Sequence, residues 1–387
     1  MHMRKATSAL VGLLLAGVAA TPAHADTIRS QQWHLDAMKA DEIWKISKGK
    51  GVTVAVIDDG VREIPELAGQ LVPGRRFTPK GDDGPTDQGS HGTAMAALIA
   101  GTGKHPTGDG GYGLAPGVKI LPILVDNNEK ATPTWVAAIR YAADSDAKVI
   151  NMSLGINGTP EDDRARAEAV KYALSKGKLI FAAVGNYGDS TNELAYPAGT
   201  PGVVGVGAVD ASGEPTRESQ HGPQVDLAAP GMDIVSPCAG QTGLCKTHGT
   251  SDASALASAS AALLWSAHPE WTNNQVLRVL LNTAGKPVDG SNRNDYVGYG
   301  IVRPRVALQT PGDPGPADVY PLPDLAAAAS GGKPSASADA ATPSKSAAPQ
   351  AAEEEKGGSS LLWVGLGLGA CVLIGGAVAA VVLRRNH

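Results

Sequence analysis

Short apolar runs alternate with helical patterns between residues 33 and 310, and this alternation limits the fold more than any other feature. The first run covers residues 52–57 and is followed by Asp58. Further runs typical of buried strands cover residues 119–125, 148–153, 178–184, 203–209 and 225–227. Apolar residues with helical spacing lie between them, as in Trp135, Ala138, Ile139 and Ala142. Continuous apolar strands that alternate with helices predict an α/β fold with a mainly parallel central sheet and helices on both faces.

The composition disfavours several classes of protein. Lysine and arginine number 33 against 38 aspartates and glutamates, so the formal net charge is −5. Proteins that bind nucleic acid usually carry a basic face, and we therefore expect no nucleic-acid partner. Three cysteines are too few for a disulfide-built scaffold or for a zinc site with four thiolates.

The N-terminus has the pattern of a secretory signal peptide. Arg4 and Lys5 precede an apolar run over residues 9–20, and a small-x-small cleavage pattern ends at Ala25. An uncleaved membrane anchor is the alternative, but the run is short for a membrane span. We therefore predict a signal peptide over residues 1–25.

The stretch between this signal peptide and the first strand is short. We assign residues 26–45 to an N-terminal extension and residues 46–310 to the globular body. Only seven residues separate the cleavage position from Trp33, where a helical pattern begins. We therefore expect the body to fold without a removable chaperone domain, and residues 26–32 to pack on it as a permanent extension.

The C-terminal end has the pattern of a membrane span. Residues 361–383 carry no charge, and a helix of this length is about 34 Å long, enough to cross a hydrocarbon core of about 30 Å. Arg384 and Arg385 follow at once, which predicts a cytoplasmic tail over residues 384–387. A buried core helix is the alternative, but the segment has no neighbours in sequence that would bury it. The body is therefore expected outside the cytoplasm, on a single-pass anchor in the cell membrane.

Residues 311–360 have the composition of a linker. Alanine, proline, serine and glycine supply most of this stretch, and Tyr320 is its only aromatic residue. Such a stretch buries too little apolar surface to fold, so we predict a disordered linker. A globular body tethered a short distance above a membrane follows from this layout.

Four short motifs place polar side chains where strands end or helices begin. Asp58 follows the first strand, and His91 precedes a helix of small residues. Asn186 follows the strand at 178–184, and Ser251 opens an alanine-rich helix. The carboxyl ends of parallel strands form the functional edge of such a sheet, so these side chains are expected to meet there. Together they predict a serine hydrolase site, in which the N–H of Ser251 can face an oxyanion.

Each of these residues has a simpler interpretation when it is taken alone. Asp58 and Asn186 could form turns, and His91 could be a surface histidine. Ser251 could be a helix N-cap, which is the more frequent role of a serine before a helix. Only the combination favours catalysis. His248 is an alternative base because it is near Ser251 in sequence, but we favour His91 because a matching helix follows it.

The same motifs resemble those of the subtilisin-like serine proteases and occur in that family's order. Asp-x-Gly follows a Val/Ile strand, and His-Gly-Thr, Gly-Asn and Gly-Thr-Ser come after it. Other segments also look like family segments: residues 65–67, 149–155, 196–198, 206–209 and 229–231. The resemblance implies that residues 46–310 are a catalytic domain with the subtilisin-like fold, which cleaves polypeptides through an acyl-enzyme.

The resemblance also implies the role of each site residue. Ser251 would be the nucleophile, His91 the base that takes its proton, and Asp58 the carboxylate that holds the imidazole. Asn186 and the N–H of Ser251 would bind the oxyanion. The family's pattern continues Gly-Thr-Ser-x-Ala-x-Pro, but this chain has Ala255 in place of the proline. Because alanine is a good helix former, we expect an intact site.

Seven residues are expected, by motif position, to form the substrate-binding pocket: Ser153, Leu154, Gly155, Ala183, Val184, Gly185 and Ala195. None of them is charged, so a buried lysine or arginine of the substrate would have no partner there. Val184 and Ala195 are larger than the residues common in the family. They should narrow the pocket in favour of small or medium uncharged side chains.

The layout of the chain narrows the family further. A signal peptide, a subtilase body, a linker, one membrane helix and a short basic tail together resemble the mycosins, the membrane-anchored proteases of bacterial type VII secretion systems. This implies polypeptide substrates, and a type VII secretion membrane complex as partner. Cys238 and Cys245 are the only cysteines of the predicted exported body, and we expect them to form a disulfide.

Two other classes of function stay open. The chain could be a general surface-anchored peptidase, or a non-catalytic scaffold that uses the subtilase fold in a secretion complex. Structural calcium also stays open, with Asp82, Asp83 and Asp87 as candidate ligands in what is more often a solvated loop. No other metal or cofactor is expected.

Overall fold

The computed structural model describes residues 27–78, 89–126, 132–240 and 243–329. Five predicted features lie outside the described residues: the signal peptide 1–25, the candidate calcium ligands Asp82, Asp83 and Asp87, the linker beyond residue 329, the span 361–383 and the tail 384–387. Among the helices that are described, none combines the length and the apolar character needed to cross a membrane.

Seven strands form one parallel sheet at the centre of the body. The eleven strands of the described chain are β1 Thr53–Asp58, β2 Arg75–Phe77, β3 Lys119–Val125, β4 Val149–Met152, β5 Ile156–Asn157, β6 Leu179–Ala183, β7 Ala195–Tyr196, β8 Val204–Val209, β9 Leu227–Pro230, β10 Ile234–Pro237 and β11 Leu244–Thr247. The order across the sheet is β2-β3-β1-β4-β6-β8-β9, and all neighbours are parallel. β5 pairs with β7 and β10 with β11, both antiparallel. The predicted mainly parallel sheet is confirmed.

Helices cover both faces of this sheet. Those of the described chain are α1 Ile28–Gln31, α2 Trp33–Ala37, α3 Ala40–Ile43, α4 His91–Ala100, α5 Thr132–Asp144, α6 Arg164–Ser175, α7 Thr250–Ala267, α8 Asn273–Thr283, α9 Pro304–Gln309 and α10 Asp324–Ala329. Side chains alternate along β1: Val54 and Val56 join one core cluster, and Ala55 and Ile57 join another. The first cluster includes side chains of α4, α7 and α8, and the second includes those of α5 and α6. The predicted cover on both faces is confirmed.

The last strand of the sheet is not where the sequence predicts it. The prediction covers residues 225–227, whereas β9 runs over Leu227–Pro230. Ala228 and Ala229 are fully buried in this strand, although alanine is depleted in strands generally. β9 packs between β8 and α7, where small side chains allow a close approach.

The N-terminal segment packs on the body, as we expected for its first residues. The Ile28 N–H donates to the carboxylate of Asp109, 3.0 Å from Oδ1. Gln32 is fully buried, and its amide both donates to the Tyr112 carbonyl at 2.8 Å and accepts from the Tyr112 N–H at 2.9 Å. Leu35 extends the contact as a fully buried member of the first core cluster. The segment is therefore part of the folded body.

The predicted linker begins too early in the chain. Residues 311–329 are folded against the body, with Leu322 only 3% exposed and Tyr320 packed on the first core cluster. The Arg278 guanidinium donates to the Pro314 carbonyl at 2.7 Å, which fixes the backbone of this stretch. The composition of residues 311–329 predicted disorder because the stretch has few apolar residues. A few buried side chains are nevertheless enough to hold it against the complementary surface of the body.

The hairpin of β10 and β11 leads into the helix of the Gly-Thr-Ser motif. Cys238 and Cys245 form a disulfide across it, with their Cα atoms 5.8 Å apart, so the predicted disulfide is confirmed. α7 then runs without a break through Ala255, which is fully buried. The absence of the family's proline therefore does not interrupt the helix.

Candidate active site

Asp58 and His91 form a hydrogen-bonded pair at the carboxyl edge of the sheet. Asp58 is the last residue of β1, and α4 begins at His91. The two side chains meet with Asp58 Oδ1 2.8 Å from His91 Nδ1. The helix comes this close because residue 92 is glycine: a Cβ on Gly92 would lie 2.4 Å from the carbonyl oxygen of Gly60. Asp59 accepts a hydrogen bond from the Gly92 N–H at 2.8 Å, which fixes the start of the helix.

Burial and charge act in opposite directions on His91. The imidazole is 44% exposed on its cleft side, while its Nδ1 edge faces the buried Asp58. Desolvation by itself lowers the pKa of His91, but the charge of Asp58 and its hydrogen bond outweigh this and raise the pKa to about 9. For Asp58, burial raises the pKa and the charge of His91 counteracts it. The pair therefore stabilises a protonated imidazole.

Ser251 lies in the first turn of α7, whose N-cap is Gly249. Gly249 has a φ of 128°, and a Cβ there would lie 2.8 Å from Asn186 Nδ2, so this turn requires glycine. The Ser251 hydroxyl donates to the carbonyl oxygen of Ser153 at 3.0 Å. Within the described residues no hydrogen bond joins it to His91. The histidine–carboxylate contact of a serine-hydrolase site is therefore formed, whereas the serine–histidine contact is not formed in this conformation.

Asn186 follows β6 and is oriented by the residue before Ser251. Its Oδ1 accepts hydrogen bonds from both the N–H and the hydroxyl of Thr250, each at 2.9 Å. The Thr250 hydroxyl oxygen in turn accepts from the Gly185 N–H at 3.1 Å. With its oxygen so engaged, Asn186 has its Nδ2 amide left to donate into the cleft. The N–H of Ser251 is a second donor, because first-turn N–H groups have no partner inside a helix.

One cleft of about 580 Å³ brings the predicted residues together. Its lining includes all four residues predicted for catalysis: Asp58, His91, Asn186 and Ser251. It also includes six of the seven residues predicted for substrate binding: Ser153, Leu154, Gly155, Ala183, Gly185 and Ala195. The antiparallel pairing of β5 with β7 places Ala195 beside Gly155. The sequence motifs therefore converge on a single site.

Val184 is the predicted pocket residue that does not line this cleft in the described structure. Its side chain is fully buried and packs in the second core cluster with Ala182. Because side chains alternate along a strand, Ala183 faces the cleft and Val184 faces the core. The expectation that Val184 narrows the pocket is therefore wrong, whereas Ala195 keeps its place in the wall.

The cleft also contains residues that the sequence analysis did not assign to it: Asp59, Asn157, Tyr187, Glu218, Gln220 and Thr250. Thr250 could have been found from the Gly-Thr-Ser motif and Asp59 from the Asp-Asp pair, but Glu218 and Gln220 lie in no motif. Among the described residues, the lining contains no lysine or arginine, and its carboxyl groups are those of Asp58, Asp59 and Glu218. No group of three or more histidine, cysteine, aspartate or glutamate side chains in the described chain is arranged to hold a metal ion.

His248 lies on the rim of the cleft and pairs with Glu218 rather than with Asp58. Its Nδ1 lies 2.8 Å from Glu218 Oε1, and its side chain is 63% exposed. The hydrogen bond that Glu218 accepts from His248, and then the charge of Glu218, raise the pKa of His248. An exposed pair of this kind supports His91, not His248, as the candidate base.

Asp252 directly follows Ser251 and is buried. The Thr247 hydroxyl donates to its Oδ1 at 3.0 Å. Burial raises the pKa of Asp252 to about 7, although the Thr247 hydrogen bond and the charge of His91 act against the shift. The charge of Asp252 in turn raises the pKa of His91, together with Asp58 and Asp59.

The comparisons with known proteins agree with this geometry. The family model of the Subtilase family matches residues 49–300. The chain belongs to the subtilase family. This subtilase is 38% identical to the thermophilic serine proteinase of Bacillus sp. (strain AK1), over 68% of this chain and 63% of that protein. It is 30% identical to mycosin-1 of Mycolicibacterium smegmatis, over 71% of this chain and 72% of that protein.

Solved structures show the same kinship. The crystal structure of MycP1 from the ESX-1 type VII secretion system is similar with a TM-score of 0.65 and 29% identity, covering 74% of this chain and 88% of that one. The subtilase described here spans slightly less than two thirds of the first relatives it matches, 63% of the AK1 proteinase for example. The chain therefore has the subtilisin-like fold and is mycosin-like among the subtilases.

Proposed function

We propose that this subtilase is a serine endopeptidase that cleaves polypeptides through an acyl-enzyme. The observation that supports this best is the hydrogen bond between Asp58 and His91 in the cleft that Ser251 also lines. Family membership supports it as well, because a relative with 38% identity is a serine proteinase by name.

In the proposed first step, Ser251 Oγ attacks the carbonyl carbon of the scissile peptide bond while His91 takes its proton. The bond between Oγ and carbon forms, the bond between carbon and nitrogen breaks, and His91 gives the proton to the leaving amine. A water molecule, deprotonated by His91, then attacks the acyl carbon. The bond between that carbon and Oγ breaks, and His91 returns the proton to Ser251 Oγ. To begin, the hydroxyl leaves the Ser153 carbonyl by rotating about the Cα–Cβ bond toward the imidazole.

The negatively charged oxygen that forms in each step needs donors that are fixed beforehand. Asn186 Nδ2 and the Ser251 N–H are the two donors in our proposal. Thr250 holds the other end of the Asn186 amide with two hydrogen bonds, so the donor needs little reorganisation during the reaction.

The apolar wall of the same cleft favours small or medium uncharged side chains before the scissile bond. A Cβ on Gly155 would lie 3.5 Å from the Cβ of Ala195, so the two residues already face each other closely. Leu154 and Ala183 supply further apolar surface. This selectivity rests on Ala195 and its neighbours, and Val184 has no part in it.

We further propose that residues 1–25 direct export and that residues 361–383 anchor the chain in the cell membrane, with the cleft outside the cytoplasm. The apolar sequence of both segments and Arg384-Arg385 support this topology. The origin of MycP1 in a secretion system supports a role beside a type VII secretion membrane complex. Alkaline carbonate should leave the full chain in the membrane pellet and release a chain without residues 361–387.

A fluorophosphonate probe tests the catalytic proposal on the full chain in membranes. The probe reacts with activated serines, so it should label the wild-type protein and fail to label Ser251→Ala. His91→Ala should keep the serine but lose most of the labelling rate. Labelling of Ser251→Ala at the wild-type rate would show that the nucleophile lies elsewhere.

One observation favours a second candidate, a non-catalytic scaffold in a secretion complex. Ser251 donates to the Ser153 carbonyl and makes no hydrogen bond to His91 in the described structure. A serine held permanently in this way would not react. Wild-type protein that resists the probe but still co-purifies with secretion components would favour the scaffold.

A further inference from the structure

A buried polar network joins the helix of the nucleophile to the end of β4. It consists of Asn151 on β4, Ser153 just after it, and Ser254 and Ser258 one turn apart on α7. All four side chains are almost completely buried. Buried polar groups cost free energy unless they are hydrogen-bonded. We therefore expect this network to matter for the two elements that it connects, α7 and the end of β4.

Asn151 is the centre of the network. Its Oδ1 accepts hydrogen bonds from Ser254 at 3.0 Å and from Ser258 at 3.1 Å. Its Nδ2 donates to the hydroxyl oxygen of Ser153 at 3.0 Å. One amide thus receives two donors from α7 and passes a hydrogen bond on to the cleft wall.

Ser153 contacts Ser251 in two ways. Its hydroxyl donates to the backbone carbonyl of Ser251 at 2.9 Å, and its own backbone carbonyl accepts the Ser251 hydroxyl at 3.0 Å. A serine hydroxyl has a single proton to donate. The hydrogen bond from Asn151 occupies a lone pair of the Ser153 oxygen and leaves that proton for the Ser251 carbonyl.

We propose that Ser153 is a positioning residue for the nucleophile, oriented by Asn151; this rests on the proposed function. Through the backbone of Ser251 it holds the first turn of α7 against residues 153–155, which line the cleft. The nucleophile and the bound peptide then keep a constant separation. Small errors in such a separation reduce rates strongly, which gives the hydrogen bond its value.

Ala255 keeps the backbone N–H that a proline at that position would lack, so α7 continues without a break past the nucleophile. The hydrogen bonds of Ser153 and Ser254 hold the same stretch of helix from outside.

Ser153→Ala and Ser258→Ala form a matched pair for the test, made in the full chain and studied in membranes. Each removes one buried hydroxyl from the network, but only Ser153 contacts Ser251. Both should lower the midpoint of thermal unfolding by similar amounts. Ser153→Ala should lower kcat and the fluorophosphonate labelling rate about tenfold, with KM within about twofold, as expected for one hydrogen bond. Ser258→Ala should leave both rates within about twofold.

Asn151→Asp provides a second arm that does not touch the cleft. In its ionised form the aspartate keeps oxygens that accept from α7 and has no donor toward Ser153, so kcat should fall as in Ser153→Ala. Equal rates for Ser153→Ala and Ser258→Ala would overturn the inference. A higher KM with unchanged kcat would also overturn it, because Ser153 would then act only as a pocket wall. Failure of the wild-type protein to label would instead refute the proposed function, and the inference with it.

Discussion

His34 and His91 lie in two regions of the molecule, the N-terminal helix α2 and the cleft, and only one has a carboxylate partner. His34 is fully buried, and neither ring nitrogen has a hydrogen-bond partner within the described residues. Burial, helped by the charge of Arg29, lowers the pKa of His34 to about 3. At His91 burial acts in the same direction, yet Asp58 raises the pKa to about 9.

A carboxylate partner decides whether a desolvated imidazole can hold a proton. An imidazole without a partner stays neutral in the interior, and its protonation in acid opposes folding. An imidazole paired with a carboxylate can take up a proton and keep its orientation, which a general base requires. The same side chain is therefore a packing element in α2 and a candidate catalyst in the cleft.

Removal of the carboxylate in the cleft should have the largest effect. In Asp58→Asn the imidazole of His91 loses the carboxylate charge that fixes its tautomer and stabilises its protonated form, and kcat should fall about 10⁴-fold. His91 acts as a base only when neutral, so wild-type kcat/KM should rise with pH toward its pKa of about 9. The residual activity of the variant should also rise with pH, but with its midpoint at a lower pH than in the wild-type protein. Peptide hydrolysis followed from neutral to alkaline pH measures both, and an unchanged midpoint would contradict the role given to Asp58.

The buried imidazole of His34 should make the folded protein less stable in acid. Folding lowers the pKa of His34 from 6.5 to about 3, so the folded state favours the neutral ring. Its contribution is complete above about pH 6.5 and is lost as the pH falls toward about 3, by up to about 5 kcal/mol. His34→Leu should remove this part of the acid sensitivity. Tryptophan fluorescence during denaturant unfolding at a series of pH values measures the stability of both proteins, and parallel pH dependences would refute the prediction.

A change at the oxyanion donors tests the binding of the oxyanion separately, because it does not alter His34 or His91. Asn186→Ala should keep the fold and lower kcat about 10²–10³-fold, the range for one such donor. The pH midpoint should stay at its wild-type value, since the pair of Asp58 and His91 is intact. Rates and thermal unfolding of the same sample give the answer. A wild-type kcat would exclude Asn186 from the oxyanion site.

The smallest effect is expected at the third histidine, on the rim. His248 has a carboxylate partner, Glu218, but its side chain is largely exposed, so water and salt screen the interaction. His248→Gln should change kcat/KM by less than about threefold, and Glu218→Gln should behave alike. A loss of activity as large as that of Asp58→Asn in either variant would contradict this prediction. It would mean that a histidine–carboxylate pair supports catalysis whether or not its carboxylate is buried.

The parallel sheet could be predicted because most of its strands are runs of apolar, β-branched residues. β9 could not be placed, because Ala228 and Ala229 carry no such signature and are buried only by their neighbours. The folding of residues 311–329 was missed for the same reason. Tyr320 and Leu322 become anchors only when the surface that receives them exists.

The site could be predicted where chemistry lies in short motifs beside strand and helix ends, and less well where it depends on direction or distance. Val184 was assigned to the wrong face, since an error of one residue reverses the side of a strand. Glu218 and His248 lie far apart in the chain, so no local sequence pattern predicts that they pair. The network of Asn151 is hidden for the same reason: Asn151 and the α7 serines that donate to it are separated by about one hundred residues in the chain.

Both end segments of the body contribute to the core that holds α4 and α7, through the buried side chains of Leu35, Ile43, Leu308 and Leu322. The region matched by the family model, residues 49–300, contains none of these four residues. Heat should therefore unfold these end segments together with the core cluster that they share, and a calorimetric trace should show no separate transition for them. A protein trimmed to residues 49–300 would expose to water the apolar surface that these four side chains cover. We expect such a protein to aggregate in solution.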